Sequence, residues 1–241
     1  VSHPEHPVPA DNRYEARRSA ALLVAVAALA GAISACSPAR AEARAERDAC
    51  EAGDVAACQA FGLRLSRGEY VLQDAAAAAE LFDRACAGGV AAGCSELGLA
   101  YHRGRGVDAD TARAAELYRA GCEGGDMSGC RRLGGLYRAG TGVEREPGAA
   151  ASLLGRACEA GEAEACGALG EMVAAGEGLA ADPARAAALF GRACEADVHR
   201  ACVRLGSAHL AGAGVAADSS RARELFEAAC DAREGSGCFR L

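Results

Sequence analysis

Residues 86–122 read CAGGVAAGCSELGLAYHRGRGVDADTARAAELYRAGC. The stretch opens on one cysteine, carries a second eight places later, and closes on the cysteine that begins the next copy. Twelve cysteines keep this spacing at 50, 58, 86, 94, 122, 130, 158, 166, 194, 202, 230 and 238, so the pairs recur every 36 residues without a slip. A fixed period of this length is the mark of stacked supersecondary units, each burying its apolar face against the next.

The residues between the cysteines repeat as well. Three places after each second cysteine stand Phe61-Gly62, Leu97-Gly98, Leu133-Gly134, Leu169-Gly170 and Leu205-Gly206. A glycine break follows at Gly104-Arg105-Gly106-Val107, Gly140-Thr141-Gly142-Val143, Gly176-Glu177-Gly178-Leu179 and Gly212-Ala213-Gly214-Val215, with Gly68-Glu69-Tyr70-Val71 a degenerate first copy. An Ala-rich stretch then ends in Leu81-Phe82, Leu117-Tyr118, Leu153-Leu154, Leu189-Phe190 or Leu225-Phe226. Apolar residues at helical spacing on both sides of the break give helix A, a glycine turn and helix B. Helix A is expected to open near Asp54, Val90, Asp126, Glu162, Val198 and Glu234. Helix B is expected to open near Asp74, Asp110, Pro147, Asp182-Pro183 and Ser219, where the residues have helix-start chemistry. The first glycine after helix A suits a left-handed C-cap.

The pattern Leu97-Gly98-x-x-Tyr101 followed by Ala114-x-x-x-Tyr118 resembles the tetratricopeptide repeat, with Cys94 where that repeat has tryptophan. The 36-residue period and the Gly-x-Gly-Val turn resemble its Sel1-like variant. Two cysteines per unit make the chain similar to the Helicobacter cysteine-rich protein family. The resemblance covers residues 50–241 and implies an all-α, right-handed α/α solenoid, with repeats from 50, 86, 122, 158 and 194 and a truncated sixth from 230.

Two disulfide schemes suit such a solenoid. One closes each helical hairpin, as Cys58 with Cys86. The other staples the end of helix B to the start of the next helix A. The first strands Cys50 and Cys238. The second uses all twelve, as Cys50–Cys58, Cys86–Cys94, Cys122–Cys130, Cys158–Cys166, Cys194–Cys202 and Cys230–Cys238, and is the expected one. Zinc would call for Cys-x(2–4)-Cys knuckles and redox catalysis for Cys-x-x-Cys, neither of which fits the spacing. Disulfides on this scale place the chain in an oxidising compartment.

The thirteenth cysteine has its own context. Residues 1–18 are polar and end in Arg17-Arg18; a short apolar run over 19–32 follows, and then Ile33-Ser34-Ala35-Cys36. The run is short for a membrane span and suits a signal peptide. The tetrapeptide resembles a bacterial lipobox, which implies a signal peptide at 1–35, a lipid on Cys36, and a tether with a first helix over 36–49. The expected product is an exported lipoprotein, anchored to a membrane and facing the periplasm or cell exterior. Removing 1–35 takes away three acids (Glu5, Asp11, Glu15) and three arginines (Arg13, Arg17, Arg18), so the net charge stays at −7.

All 26 basic residues are arginine and are interspersed with 33 acids. A net charge of −7 without a basic stripe argues against a nucleic-acid partner. The cysteine-rich family resemblance carries a penicillin-binding or weak β-lactam-hydrolysing activity, but a chain without lysine has no Ser-x-x-Lys and no Lys-Thr-Gly. No catalytic, cofactor or metal residues are assigned. The Gly-x-Gly turns follow helices rather than strands and are read as turns, not as a nucleotide cradle. Past residue 35 the histidines are His102, His199 and His209, which share no face at ligand spacing. The expected role is an interaction scaffold for a peptide or protein partner in the cell envelope, with β-lactam or cell-wall-fragment binding as the alternative. Helical solenoids present an extended concave surface, here lined by A helices. The positions there that differ between repeats are Gln59, Glu96, Arg103, Arg131, Arg132, Glu171 and Arg204, and Arg131-Arg132 with Arg138 forms the densest basic cluster. Such a cluster suits a carboxylate or an acidic peptide segment.

Overall fold

The structure, a computed structural model, describes residues 38–231. Cys36, the segment before it and Cys238 lie outside these residues. The chain divides into a unit at 1–45 and a unit at 46–241. Among the described residues the secondary structure is eleven helices. α1 (Pro38–Glu51) begins in the first unit and ends in the second. It is followed by α2 (Val55–Arg67), α3 (Ala75–Ala87), α4 (Ala91–Arg103), α5 (Thr111–Glu123), α6 (Met127–Ala139), α7 (Pro147–Glu159), α8 (Ala163–Ala175), α9 (Pro183–Glu195), α10 (His199–Ala211) and α11 (Ser219–Asp231). The even-numbered helices are the A helices of the repeat and the odd-numbered ones the B helices. From α2 onward each helix packs mainly on its neighbours in sequence, and α4 also touches α6, so the second unit is an all-α solenoid.

The caps fall where the sequence places them. The carboxylates of Asp54, Asp74, Asp110, Asp126 and Asp182 accept hydrogen bonds from backbone N–H groups in the first turns of α2, α3, α5, α6 and α9. Pro147 and Pro183 occupy first-turn positions that need no N–H. The A helices end on left-handed glycines, such as Gly104 at φ 62°. The second glycine of the turn serves another purpose. A Cβ on Gly106 would lie 2.1 Å from the carbonyl oxygen of Ala75, so each turn seats directly on the N-terminal backbone of the preceding B helix. In the first copy this position is Tyr70, which takes a positive φ of 63° and stands exposed.

The glycines inside the A helices have a packing reason. A Cβ on Gly170 would come within 2.7 Å of the Phe190 ring, and Gly62, Gly98 and Gly206 stand in the same relation to Phe82, Tyr118 and Phe226. Glycine costs a helix interior about 1 kcal/mol relative to alanine. Here that cost admits a large side chain of helix B into the body of helix A, and Phe82, Tyr118, Phe190 and Phe226 are all buried. Leucine takes the ring's place at Leu154, beside Gly134. The four aromatic side chains buried among the described residues therefore all sit at one recurring joint.

Between units the joint is covalent. Cys50–Cys58, Cys86–Cys94, Cys122–Cys130, Cys158–Cys166 and Cys194–Cys202 are disulfides, with Cα–Cα distances of 4.5–4.7 Å. Cys230 is disulfide-bonded as well. Each staple ties the end of one B helix to the first turn of the next A helix. In the chain-entropy account a loop this short contributes about 2.5 kcal/mol. Arg84 and Arg192 add a polar tie between units, donating to the carbonyls of Cys50 and Cys158 at 2.9 Å.

The ring-on-glycine joint leads to a direct test. Gly170→Ala should lower unfolding stability by about 1–3 kcal/mol in urea titrations, the usual penalty for overpacking. The penalty should shrink in a Phe190→Leu background, which recreates the Gly134–Leu154 pairing.

Candidate functional site on the A-helix face

The A helices α6, α8 and α10 line a groove of about 800 Å³. Its walls carry four of the residues singled out from the sequence: Arg131 and Arg138 from α6, Glu171 from α8 and Arg204 from α10. A smaller groove of about 340 Å³ lies between α4 and α6 and takes in Arg103 and Arg132, together with His102, Tyr118 and Thr141. Gly135 borders both grooves. Gln59 and Glu96 line neither. His199 joins the larger groove, whereas the Nδ1 of His209 lies 3.3 Å from the carbonyl of Ala216 and acts within its own turn.

The basic cluster is not what its sequence suggests. Arg131 pairs with Glu162 at 2.8 Å and Glu164 at 3.0 Å, and Arg138 pairs with Glu177 at 2.8 Å and Glu171 at 3.2 Å. Two of its three guanidiniums thus already hold carboxylates of the next unit. Glu171, 19% exposed, also accepts from Arg204 at 3.3 Å and has Arg200 at 3.9 Å. It draws charge from α6 and α10 onto α8, and the floor of the larger groove is an internally neutralised ladder. The hydrogen bonds and charge of Arg138 hold the Glu177 carboxyl below its ordinary value. Glu177 likewise raises Arg138, with the Glu171 hydrogen bond assisting and desolvation opposing.

Arg132 and Arg103 differ. Among the described residues neither has a carboxylate partner within ion-pair distance. The Nε of Arg132 is enclosed without a hydrogen-bond partner, and its guanidinium lies 6.0 Å from the centroid of the Tyr118 ring. Burial pushes the Tyr118 phenol above its ordinary value, against the pull of Arg132 and Arg103. The His102 ring stands 6.4 Å from the Tyr118 ring. No acid lines this smaller groove, so it is cationic where the larger one is balanced.

Glu162, Glu164, Glu177, Asp197 and Arg200 were not singled out from the sequence. Glu162 had a signal: it stands where Asp54 and Asp126 cap their helices, but it makes no side-chain cap bond and reaches Arg131 instead. Asp197, on the rim of the larger groove, holds φ 60° at a position where Gly53, Gly89, Gly125 and Gly161 stand in the other units. No group of three or more metal-ligating side chains gathers among the described residues. No helix among them is long and apolar enough to cross a membrane.

The Sel1 repeat model matches residues 55–90, 91–126, 128–162, 163–198 and 199–233. The chain belongs to the Sel1 repeat family. Its five matched Sel1 repeats each begin at or within a residue of an A helix, and the first four end in the turn before the next one. Among solved structures, the chain is similar to c5321, a protective antigen of uropathogenic Escherichia coli with an SLR fold, at 31% identity and a TM-score of 0.74. That match covers 81% of this chain and 42% of the antigen. A Sel1 repeat protein from Oxalobacter formigenes aligns at 25% identity and a TM-score of 0.69, over 74% of this chain and 71% of that one. Cysteine-rich protein B of Helicobacter pylori aligns at 26% identity and a TM-score of 0.44, over 54% of this chain and 93% of that one. No curated protein matches the chain.

Because Glu171 ties three A helices together, Glu171→Gln should cost about 1 kcal/mol, the scale of a partly exposed ion-pair network. Glu177 has a depressed folded-state value, so its contribution is complete above the ordinary carboxylate range and disappears as pH falls through the folded value. Denaturation measured across that acid range should therefore show a smaller pH-dependent loss in Arg138→Gln than in the wild type.

Proposed function

We propose that this Sel1 repeat protein is an exported scaffold whose A-helix face binds a peptide or protein partner in the cell envelope. The observation that carries this reading is the groove of about 800 Å³ spanning α6, α8 and α10, continued by the smaller groove on α4 and α6. Its ion pairs fix the walls before any partner arrives, so little side-chain ordering remains to oppose association. The staples support an extracytoplasmic site of action, since disulfides persist in oxidising compartments. The apolar run over 19–32 and Cys36 support delivery as a lipid-anchored protein, with the solenoid held close to a membrane surface.

A photo-crosslinking residue at Ala168, on the groove wall, distinguishes this reading from catalysis. In cells, Ala168 should give discrete adducts with envelope proteins, and the same probe at Glu80, on an exposed B-helix surface, should not. Saturable turnover of a chromogenic cephalosporin by the purified oxidised protein, with no groove-specific adducts, would replace the scaffold by a β-lactam-hydrolysing enzyme.

A further inference from the structure

Gly135 is a helix-interior glycine without a packing reason. Unlike Gly134 beside it, which faces Leu154, a Cβ on Gly135 would meet nothing within 4 Å. The equivalent places in the neighbouring units are Leu63, Leu99, Glu171 and Ser207, all larger. Alanine here would raise helix propensity and displace no neighbour. The glycine instead leaves a notch in the A-helix face, at the point where the two grooves meet. A bare backbone surface of this kind admits the close approach of another chain.

The charges beside the notch are distributed unevenly. Arg131, Arg138 and Arg204 are occupied by Glu162, Glu164, Glu171 and Glu177, whereas Arg103 and Arg132 face the smaller groove without a carboxylate. A guanidinium donates two parallel hydrogen bonds to a carboxylate, and the smaller groove holds two guanidinium-bearing residues with no acid on its lining. We infer that Gly135 is a specificity-determining notch across which a partner peptide lays its main chain, with a carboxylate of that peptide placed between Arg103 and Arg132. This inference rests on the peptide-binding reading above and adds to it the chemistry of the ligand and the residues that select it.

The test is affinity selection from pooled ten-residue peptides, made once with free and once with amidated C-termini and identified by mass spectrometry. Wild-type protein should retain a subset that carries a carboxylate. Retention of amidated peptides containing Asp or Glu identifies a side chain as its source, and retention from the free-acid pool alone identifies the chain terminus. Affinity for the retained peptides should fall at least tenfold in Gly135→Leu, which fills the notch as Leu63 and Leu99 do. A similar fall is expected in the double variant Arg103→Gln/Arg132→Gln. Gly135→Ala controls for folding: it should melt at or above the wild-type temperature and yet bind more weakly. Retained peptides that bind Gly135→Leu and the double variant as well as wild type, or that carry no carboxylate, would overturn the inference and leave peptide binding intact. A wild-type protein that retains no peptide from either pool would overturn both.

Discussion

The disulfide between the end of each B helix and the first turn of the next A helix is the constraint on which the solenoid depends. A stack of helical hairpins has one joint within each unit and one between units. Within the unit, a large side chain lodges on a glycine, as Phe190 does on Gly170. Between units, large side chains such as Phe82 and Leu97 share a core, and beside the disulfide itself the cysteines and alanines such as Ala85, Ala157 and Ala193 fill the space. A covalent bond across eight residues fixes the joint without needing bulk. It also sets the angle from unit to unit, and with it the spacing of the A helices that form the grooves.

That spacing gives the ion pairs their reach. Arg131 to Glu162, Arg138 to Glu171 and Glu171 to Arg204 each bridge adjacent A helices. They are partly exposed, and isolated pairs of this kind add little stability. Their larger effect is on the surface, where they leave the larger groove balanced while the smaller groove beside Arg103 and Arg132 stays cationic. The resulting face is rigid and unevenly charged, a combination that favours selective recognition over indiscriminate attraction.

Nearly all of the fold of the described residues was legible in the sequence, because its determinants are local and recur from one repeat to the next. Asp110 announces a helix start by its type, Gly104 a helix end, and Gly106 a turn that a side chain would obstruct. The pairing of Cys86 with Cys94 followed from counting. The site was legible only in outline. Arg131 and Arg138 looked like free cations because their partners lie 31 to 39 residues away, and nothing in a one-dimensional pattern says that Glu162 abandons its capping role to meet Arg131. Gly134 and Gly135 are adjacent glycines of opposite meaning. One accommodates Leu154 from the next helix, and the other borders open space on the groove. Only the orientation of α6 separates them.

The measurement closest to the centre of this account is the disulfide map of the protein isolated from an oxidising compartment without reductant. Proteolysis and mass spectrometry should recover Cys86 linked to Cys94, Cys122 to Cys130 and Cys158 to Cys166, each eight residues apart. Peptides linking Cys58 to Cys86 or Cys94 to Cys122, or cysteines left as free thiols in the folded protein, would contradict it. The joint between units would then rest on something other than the staple.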